Sequence, residues 1–324
     1  SLAPAELKKE GSYFDLAIAL GYLLSSHTIE FDPEHKIFLG ELSLDGSVQP
    51  VGGVLPLVQH AKQNGFTEIF VPRKNAREAA LVSDITIYAI DNLKQAVNYL
   101  TDVEKLQPEP KTEINFDEQV EVTTDFFDIK GQEVAKRGLE IAAAGGHNIV
   151  MFGPPGTGKT MLARAFTGIL PTLSLDEALE VTGIHSISGE LQQPLIIHPP
   201  LRSPHHTSSY VSLIGGGAIP KPGEVTLAHR GVLFLDEFPE FETRVLESMR
   251  QPLEDRIVNI SRAKGTATFP SQFILVAAMN PCPCGNSGSL HKKCICTQND
   301  IARYSRKISG PIMDRIDLWI PVEH

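Results

Sequence analysis

Residues 153–160 read Gly-Pro-Pro-Gly-Thr-Gly-Lys-Thr, after the apolar run Asn148-Ile149-Val150-Met151-Phe152 and before Met161-Leu162-Ala163-Arg164-Ala165-Phe166. This is strand, G-x-x-x-x-G-K-[ST] loop, helix, and it constrains the fold more than any other stretch. The strand must be buried, and the helix must start where the loop turns its backbone N–H groups inward around phosphate oxygens. The pattern predicts ATP or GTP on Gly153, Pro154, Pro155, Gly156, Thr157, Gly158, Lys159, Thr160 and Met161. Lys159 is expected to put its cation on the β and γ phosphates, and Thr160 to offer its hydroxyl to Mg²⁺.

The rest of a hydrolytic site is sought at the ends of other apolar strands. Val232-Leu233-Phe234-Leu235 runs into Asp236-Glu237, which a buried parallel strand would carry out at its C-terminal edge. Asp236 is then placed to hold Mg²⁺, and Glu237 to polarise the attacking water. Ile274–Met279 ends at Asn280-Pro281, an amide suited to touch both γ-phosphate and water, although Asn also commonly terminates strands. Arg315 stands between Asp314 and Asp317, and two readings stay open: a structural ion pair, or an arginine finger on a neighbouring subunit's γ-phosphate.

All 4 cysteines fall in one loop as Cys282-Pro-Cys284 and Cys294-Ile-Cys296. Four thiolates so gathered suit tetrahedral Zn²⁺, with His291 as a substitute ligand. Disulfides are disfavoured in a cytosolic ATPase. Arg202-Ser203-Pro204-His205-His206-Thr207, followed by Leu213-Ile214-Gly215-Gly216-Gly217, reads either as a mobile pore-facing loop touching DNA or as a static insertion held by histidine hydrogen bonds.

The 324 residues suffice for two domains, and 42% hydrophobic with 21% charged residues is a globular balance. No apolar stretch reaches the ~18–20 residues that cross a bilayer, and no signal peptide is visible, so the expected compartment is the cytoplasm. A net charge of −10 argues against coating nucleic acid over the whole surface, although residues 257–324 carry eight Lys+Arg against four Asp+Glu. Short elements are predicted over the first hundred residues: helices at 14–24, 55–64, 76–81 and 93–100, strands at 37–44, 68–71 and 86–89, and a hairpin turning at Asp45-Gly46. A polar segment with Pro108 and Pro110 marks a linker at 105–122, giving domains at 1–104 and 123–324.

Beyond the loop and its acids, the chain resembles AAA+ ATPases of the magnesium-chelatase-like ComM (competence protein) family. The likeness is carried by Gly131–Arg137, Ala143–Asn148, Arg202–Thr207, Pro222–Gly231, Gln251–Asp255 and Asn280–Gly285. It implies an α/β fold: an AAA+ P-loop core with a parallel sheet flanked by helices, preceded by a smaller Lon-like α/β (α+β) domain. It implies adenine near Ile129–Gln132, Asn280 as the sensor, Arg315 as a finger in trans, and a hexameric ring. It also implies DNA helicase or branch-migration work in transformation or recombination; chelatase subunits instead drive metal insertion into a tetrapyrrole.

Gly40–Gly53 and Phe70–Asn75 resemble the proteolytic domain of Lon, with Tyr13 where the serine nucleophile should be and Leu55 where the lysine base should be. Leucine cannot take a proton, so a non-proteolytic scaffold is expected. The family pattern implies further sequence before Leu2 and a helical lid after His324.

Overall fold

The computed structural model describes residues 11–116, 124–217, 220–262, 265–288 and 292–323. The chain forms two compact units, residues 1–115 with 185–195, and residues 116–184 with 196–324. Residues 117–122 of the predicted linker and His291 lie outside the described residues.

In the first unit the elements follow as α1 (Asp15–Ser25), β1 (Lys36–Phe38), β2 (Glu41–Leu42), β3 (Val48–Gln49), α2 (Val54–Gln63), β4 (Glu68–Pro72), α3 (Ala76–Ala79), β5 (Thr86–Ile90) and α4 (Leu93–Leu100). Strands β1, β4 and β5 form a parallel sheet in that order, and β2 pairs antiparallel with β3. The single strand predicted at 37–44 is therefore two strands, parted at Leu39-Gly40. Glu109 N–H donates to Ile87 and Thr112 N–H to Ala80, so this part of the proline-containing segment lies along the first unit. Leu55 is fully buried. Its N–H donates to buried Glu78 (2.9 Å), which also accepts from Asn75 Nδ2 (3.3 Å) and Ser186 Oγ. Ser12 Oγ donates to Glu41 (2.5 Å).

The second unit contains α5 (Glu133–Gly145), β6 (Ile149–Phe152), α6 (Lys159–Phe166), the first ten residues of α7 (Leu175–Ser188), β7 (Leu201–Arg202), α8 (Tyr210–Ile214), β8 (Gly215–Gly216), β9 (Lys221–Pro222), α9 (Glu224–Leu227) and β10 (Val232–Leu235). It continues with α10 (Thr243–Ser248), α11 (Arg250–Asp255), β11 (Ile257–Arg262), β12 (Gly265–Pro270), β13 (Ile274–Met279), α12 (Gln298–Ser305), α13 (Gly310–Met313) and β14 (Leu318–Pro321). Five parallel strands run in the order β14-β6-β13-β10-β7. Alternation along them fills both faces: Leu233, Leu235, Leu275 and Ala277 enter one core, and Val232, Phe234, Val276 and Ala278 the other.

Buried Asn148 pins three of these strands. Its N–H donates to Asp317 (2.8 Å), its Nδ2 to the Arg315 carbonyl (2.8 Å), and its Oδ1 accepts from Leu275 N–H (2.9 Å). A chain leaving β6 thus emerges between β13 and β14, at a fixed height one strand away from the end of β10.

Candidate functional site

The phosphate loop leaves the C-terminal end of β6, and the acids and amide leave the same edge from β10 and β13. In an open parallel sheet this edge is where ligands bind. At Gly153 an added Cβ would stand 2.0 Å from the Val322 carbonyl oxygen, so only glycine lets the loop pass the end of β14. Gly156 and Gly158 have φ of 85° and 87°, the left-handed region the turn needs to bring Lys159 to the first position of α6.

Lys159 is buried, and its Nζ donates to the carbonyls of Gly153 and Pro154, both at 2.7 Å, with Asn280 Oδ1 at 3.5 Å. Burial pushes its ammonium pKa below the usual lysine value, and the Asp236 carboxylate opposes part of that shift. Thr160 Oγ1 donates to Asp236 Oδ2 at 2.8 Å, so the two predicted Mg²⁺ ligands are neighbours across 76 residues of sequence. Two hard oxygen donors side by side fit a Mg²⁺ ion that keeps most of its waters. Asp236 Oδ1 accepts from the Glu237 N–H (2.9 Å). Thr157 Oγ1 caps the turn on Pro154 (3.0 Å), and Gln132 Nε2 lies 3.4 Å from the Thr157 carbonyl. The stretch expected around adenine therefore borders the loop. Pro155 and Met161 stand in the same turn and first helical residues, Met161 partly exposed.

Arg315 is at the other end of the sheet. Its carbonyl is held by Asn148, just before β6, whereas Gly153 follows β6 by one residue. Five residues of strand separate these points by roughly 16 Å. The guanidinium pairs with Glu254 (2.6 Å) and the Pro311 carbonyl (3.1 Å), not with Asp314 or Asp317. The sequence offered no sign of Glu254 as its partner.

The cysteines converge. Cys282 Sγ lies 3.5 Å from Cys284 and 3.7 Å from Cys294, Cys284 lies 3.7 Å from Cys294, and all four sulfurs including Cys296 fall within 4.8 Å of one another. A tetrahedron of Zn–S bonds has edges of about 3.8 Å, so the donor set fits Zn²⁺. Backbone N–H groups of Ile295 and Asn286, aimed at the Cys284 sulfur, lower its thiol to about 6, whereas desolvation and the neighbouring sulfurs raise Cys294 and push Cys296 up to about 12.

Sequence reading missed one neighbour of the site. His206 Nδ1 lies 3.0 Å from Glu237 Oε2. His205 instead turns back on its own loop, its Nδ1 2.8 Å from Thr207 Oγ1. The paired histidines were the signal, but nothing in their spacing named Glu237.

Comparison with known proteins agrees with this geometry. Residues 125–324 match the family described as magnesium chelatase, subunit ChlI, and residues 1–75 match a second family described as subunit ChlI of Mg-chelatase. Competence protein ComM of Haemophilus influenzae is 45% identical over 331 residues, covering 99% of this chain and 64% of that protein. The uncharacterized protein YifB of Escherichia coli is 42% identical over 326 residues, 99% of this chain and 63% of its own length. Lon protease 2 of Bacillus subtilis is 32% identical over 160 residues, 43% of this chain and 26% of that protein. The chain thus spans less than two thirds of the length of its full-coverage relatives. With a phosphate loop, two strand-end acids and a strand-end amide on one edge of a five-stranded parallel sheet, the chain belongs to the magnesium chelatase ChlI family as a ComM-like member.

Proposed function

We propose that the chain is the ATP-hydrolysing part of an AAA+ motor that works as a homo-oligomeric ring, a hexamer in the family manner, on branched or single-stranded DNA in the cytoplasm. One observation carries the ATPase reading: Lys159, Thr160, Asp236, Glu237 and Asn280 meet at one sheet edge. Lys159 and the loop N–H groups hold the nucleotide's phosphates, and Thr160 and Asp236 are the ligands for Mg²⁺. The metal supplies charge neutralisation on the β and γ phosphates when bound. Glu237 accepts the proton of the attacking water, and Asn280 orients that water against the γ-phosphate.

Arg315 is the finger for a neighbour's site, a role supported by its distance of roughly 16 Å of strand from its own loop. The four cysteines hold a structural Zn²⁺. The DNA reading rests on similarity to ComM, and the Lon-like first unit serves as a non-proteolytic scaffold, consistent with Leu55 buried at the lysine position.

The test is an ATPase assay on the full-length protein against a panel of fork, single-stranded and duplex DNA, beside a Glu237→Gln variant. Expected are stimulation and unwinding of forked substrates, and a variant that retains ATP while turnover falls about 100-fold or more. Unchanged hydrolysis in Glu237→Gln refutes its role, and absence of DNA binding at low salt refutes the DNA reading, because phosphate contacts are strongest there.

A further inference from the structure

The chain that leaves the phosphate-loop edge at Asn280 runs straight into the cysteines. β13 ends at Met279, whose carbonyl accepts the Gly153 N–H (3.2 Å), and the next residue, Asn280, faces Lys159. Two residues later comes Cys282, fully buried. We propose that the cysteine loop is a metal-dependent clamp on the nucleotide site: its four sulfurs, drawn onto one zinc ion, hold Asn280 and the phosphate loop in register, so that metal and nucleotide each strengthen the other's binding. This rests on the nucleotide and zinc readings above.

The loop meets the site from two sides. Its first turn closes with the Gly285 N–H on the Cys282 carbonyl (2.9 Å), and Gly285 has a φ of 78°. A Cβ added at Gly285 would stand 2.9 Å from Pro155 Cδ and 3.9 Å from Asn280 Cγ, so the turn lies against the phosphate loop and the strand-end amide at once. At the far end Cys296 is followed by Thr297, which caps α12 through a reciprocal pair with Asp300. That helix carries buried Tyr304, whose phenol oxygen faces the Asn280 backbone N–H. The first cysteine pair is thus joined to Asn280 directly along the chain, and the second through one helix.

Little besides sulfur holds the loop. Among the described residues from Pro283 to Thr297 Gly285 alone is buried, and Ile295 is 84% exposed. Burial of apolar surface therefore contributes little to its position. Thiols 3.5–3.7 Å apart gain only weak contact energy, whereas a metal binds all four sulfurs and makes that binding energy available to the fold. The Ser287 N–H, 3.3 Å from Cys282 Sγ, is the kind of donor that steadies a ligating thiolate. Loss of the metal frees the loop at both ends, and the groups it then releases are Asn280 and Pro155. The preference is mutual by thermodynamic necessity: the factor that metal adds to nucleotide affinity, nucleotide adds to metal affinity.

The experiment measures how tightly the full-length protein binds the non-hydrolysable analogue AMP-PNP with Mg²⁺, zinc-loaded and after treatment with a zinc-selective chelator. Zinc affinity is measured with and without the analogue, and Trp319 fluorescence reports whether the second unit stays folded. Zinc removal should weaken analogue binding about 10-fold, and the analogue should tighten zinc by the same factor. Gly285→Ala keeps all four sulfurs and should keep its zinc, yet weaken the analogue severalfold, because its Cβ pushes Pro155. Adding Pro155→Ala removes the ring atoms that this Cβ meets and should recover most of the loss.

Unchanged analogue affinity in folded, zinc-free protein overturns the proposal, as does a Gly285→Ala variant that binds zinc and analogue like the wild type. Should zinc removal unfold the second unit, Gly285→Ala and its Pro155→Ala partner decide. A protein isolated without bound metal overturns the cysteine reading and the clamp with it. Full zinc with no analogue bound overturns the nucleotide reading and the clamp together. Because every readout is an affinity, a wild-type protein that binds the analogue but hydrolyses no ATP refutes the ATPase reading and leaves the clamp to be decided by the same measurements.

Discussion

Replacing Asn148 by alanine should unfasten the second unit while leaving most of its core intact. The side chain is 4% exposed and bonds two backbone groups, the Leu275 N–H at 2.9 Å and the Arg315 carbonyl at 2.8 Å. Alanine reaches neither. Leu275 is buried in the centre of the sheet, so its N–H loses its partner with no water to replace it, at about 2 kcal/mol. The Arg315 carbonyl, nearer solvent, adds about 1 kcal/mol. The bonds of the Asn148 backbone to Asp317 survive, so the expected loss is about 3 kcal/mol.

The single tryptophan, Trp319, lies on β14 opposite Val150, and its fluorescence reports the second unit alone. With a urea slope of about 2.5 kcal/mol per molar for a unit of this size, the midpoint should fall by about 1.2 M. His147→Ala, a neighbouring and partly exposed side chain, should shift it by less than about 0.2 M. A shift below about 0.3 M for Asn148→Ala, or one as large for His147→Ala, would refute the view that this amide pins the sheet.

Arg315→Ala and Lys159→Ala should each abolish hydrolysis alone, yet an equal mixture should regain about a quarter of wild-type turnover. A quarter of the sites in a random ring pair an intact loop with an intact neighbouring arginine; no recovery would mean that Arg315 does not act across subunits. Gly153→Ala should lose nucleotide binding and about 1–3 kcal/mol of stability, because its Cβ meets the Val322 carbonyl at 2.0 Å and backbone must move. Normal nucleotide affinity in that variant would contradict the close approach of β14 to the loop. Metal analysis should find about one zinc per chain, and Cys282→Ser and Cys294→Ser should each lower it severalfold. Stoichiometric zinc surviving both changes would remove the cysteines from the site.

The phosphate loop, Asp236-Glu237 and the cysteine pairs were legible because each is a short contiguous pattern whose chemistry needs those residues at that spacing. Apolar runs likewise announced β6, β10 and β13, since a strand buried on both faces must be apolar throughout. The predicted strand at 37–44 was less secure: local alternation continued through Leu39-Gly40, where the fold instead passes from a parallel sheet to a separate hairpin.

The contacts that organise the site had no local signature. Asn148 meets Leu275 across 127 residues and Arg315 across 167, and an asparagine before a strand looks the same in sequence whether it pins a sheet or merely starts one. Arg315 found Glu254 instead of its flanking acids, and of two adjacent histidines only His206 turned to Glu237. Such pairings follow from the strand order β14-β6-β13-β10-β7, which sets which strand ends become neighbours. Residue type and spacing determined a phosphate-loop chain of the magnesium chelatase ChlI family. The packing of five strands, each needing both faces covered, decided which distant side chains gather beside the phosphate loop and which are carried roughly 16 Å away to the opposite edge.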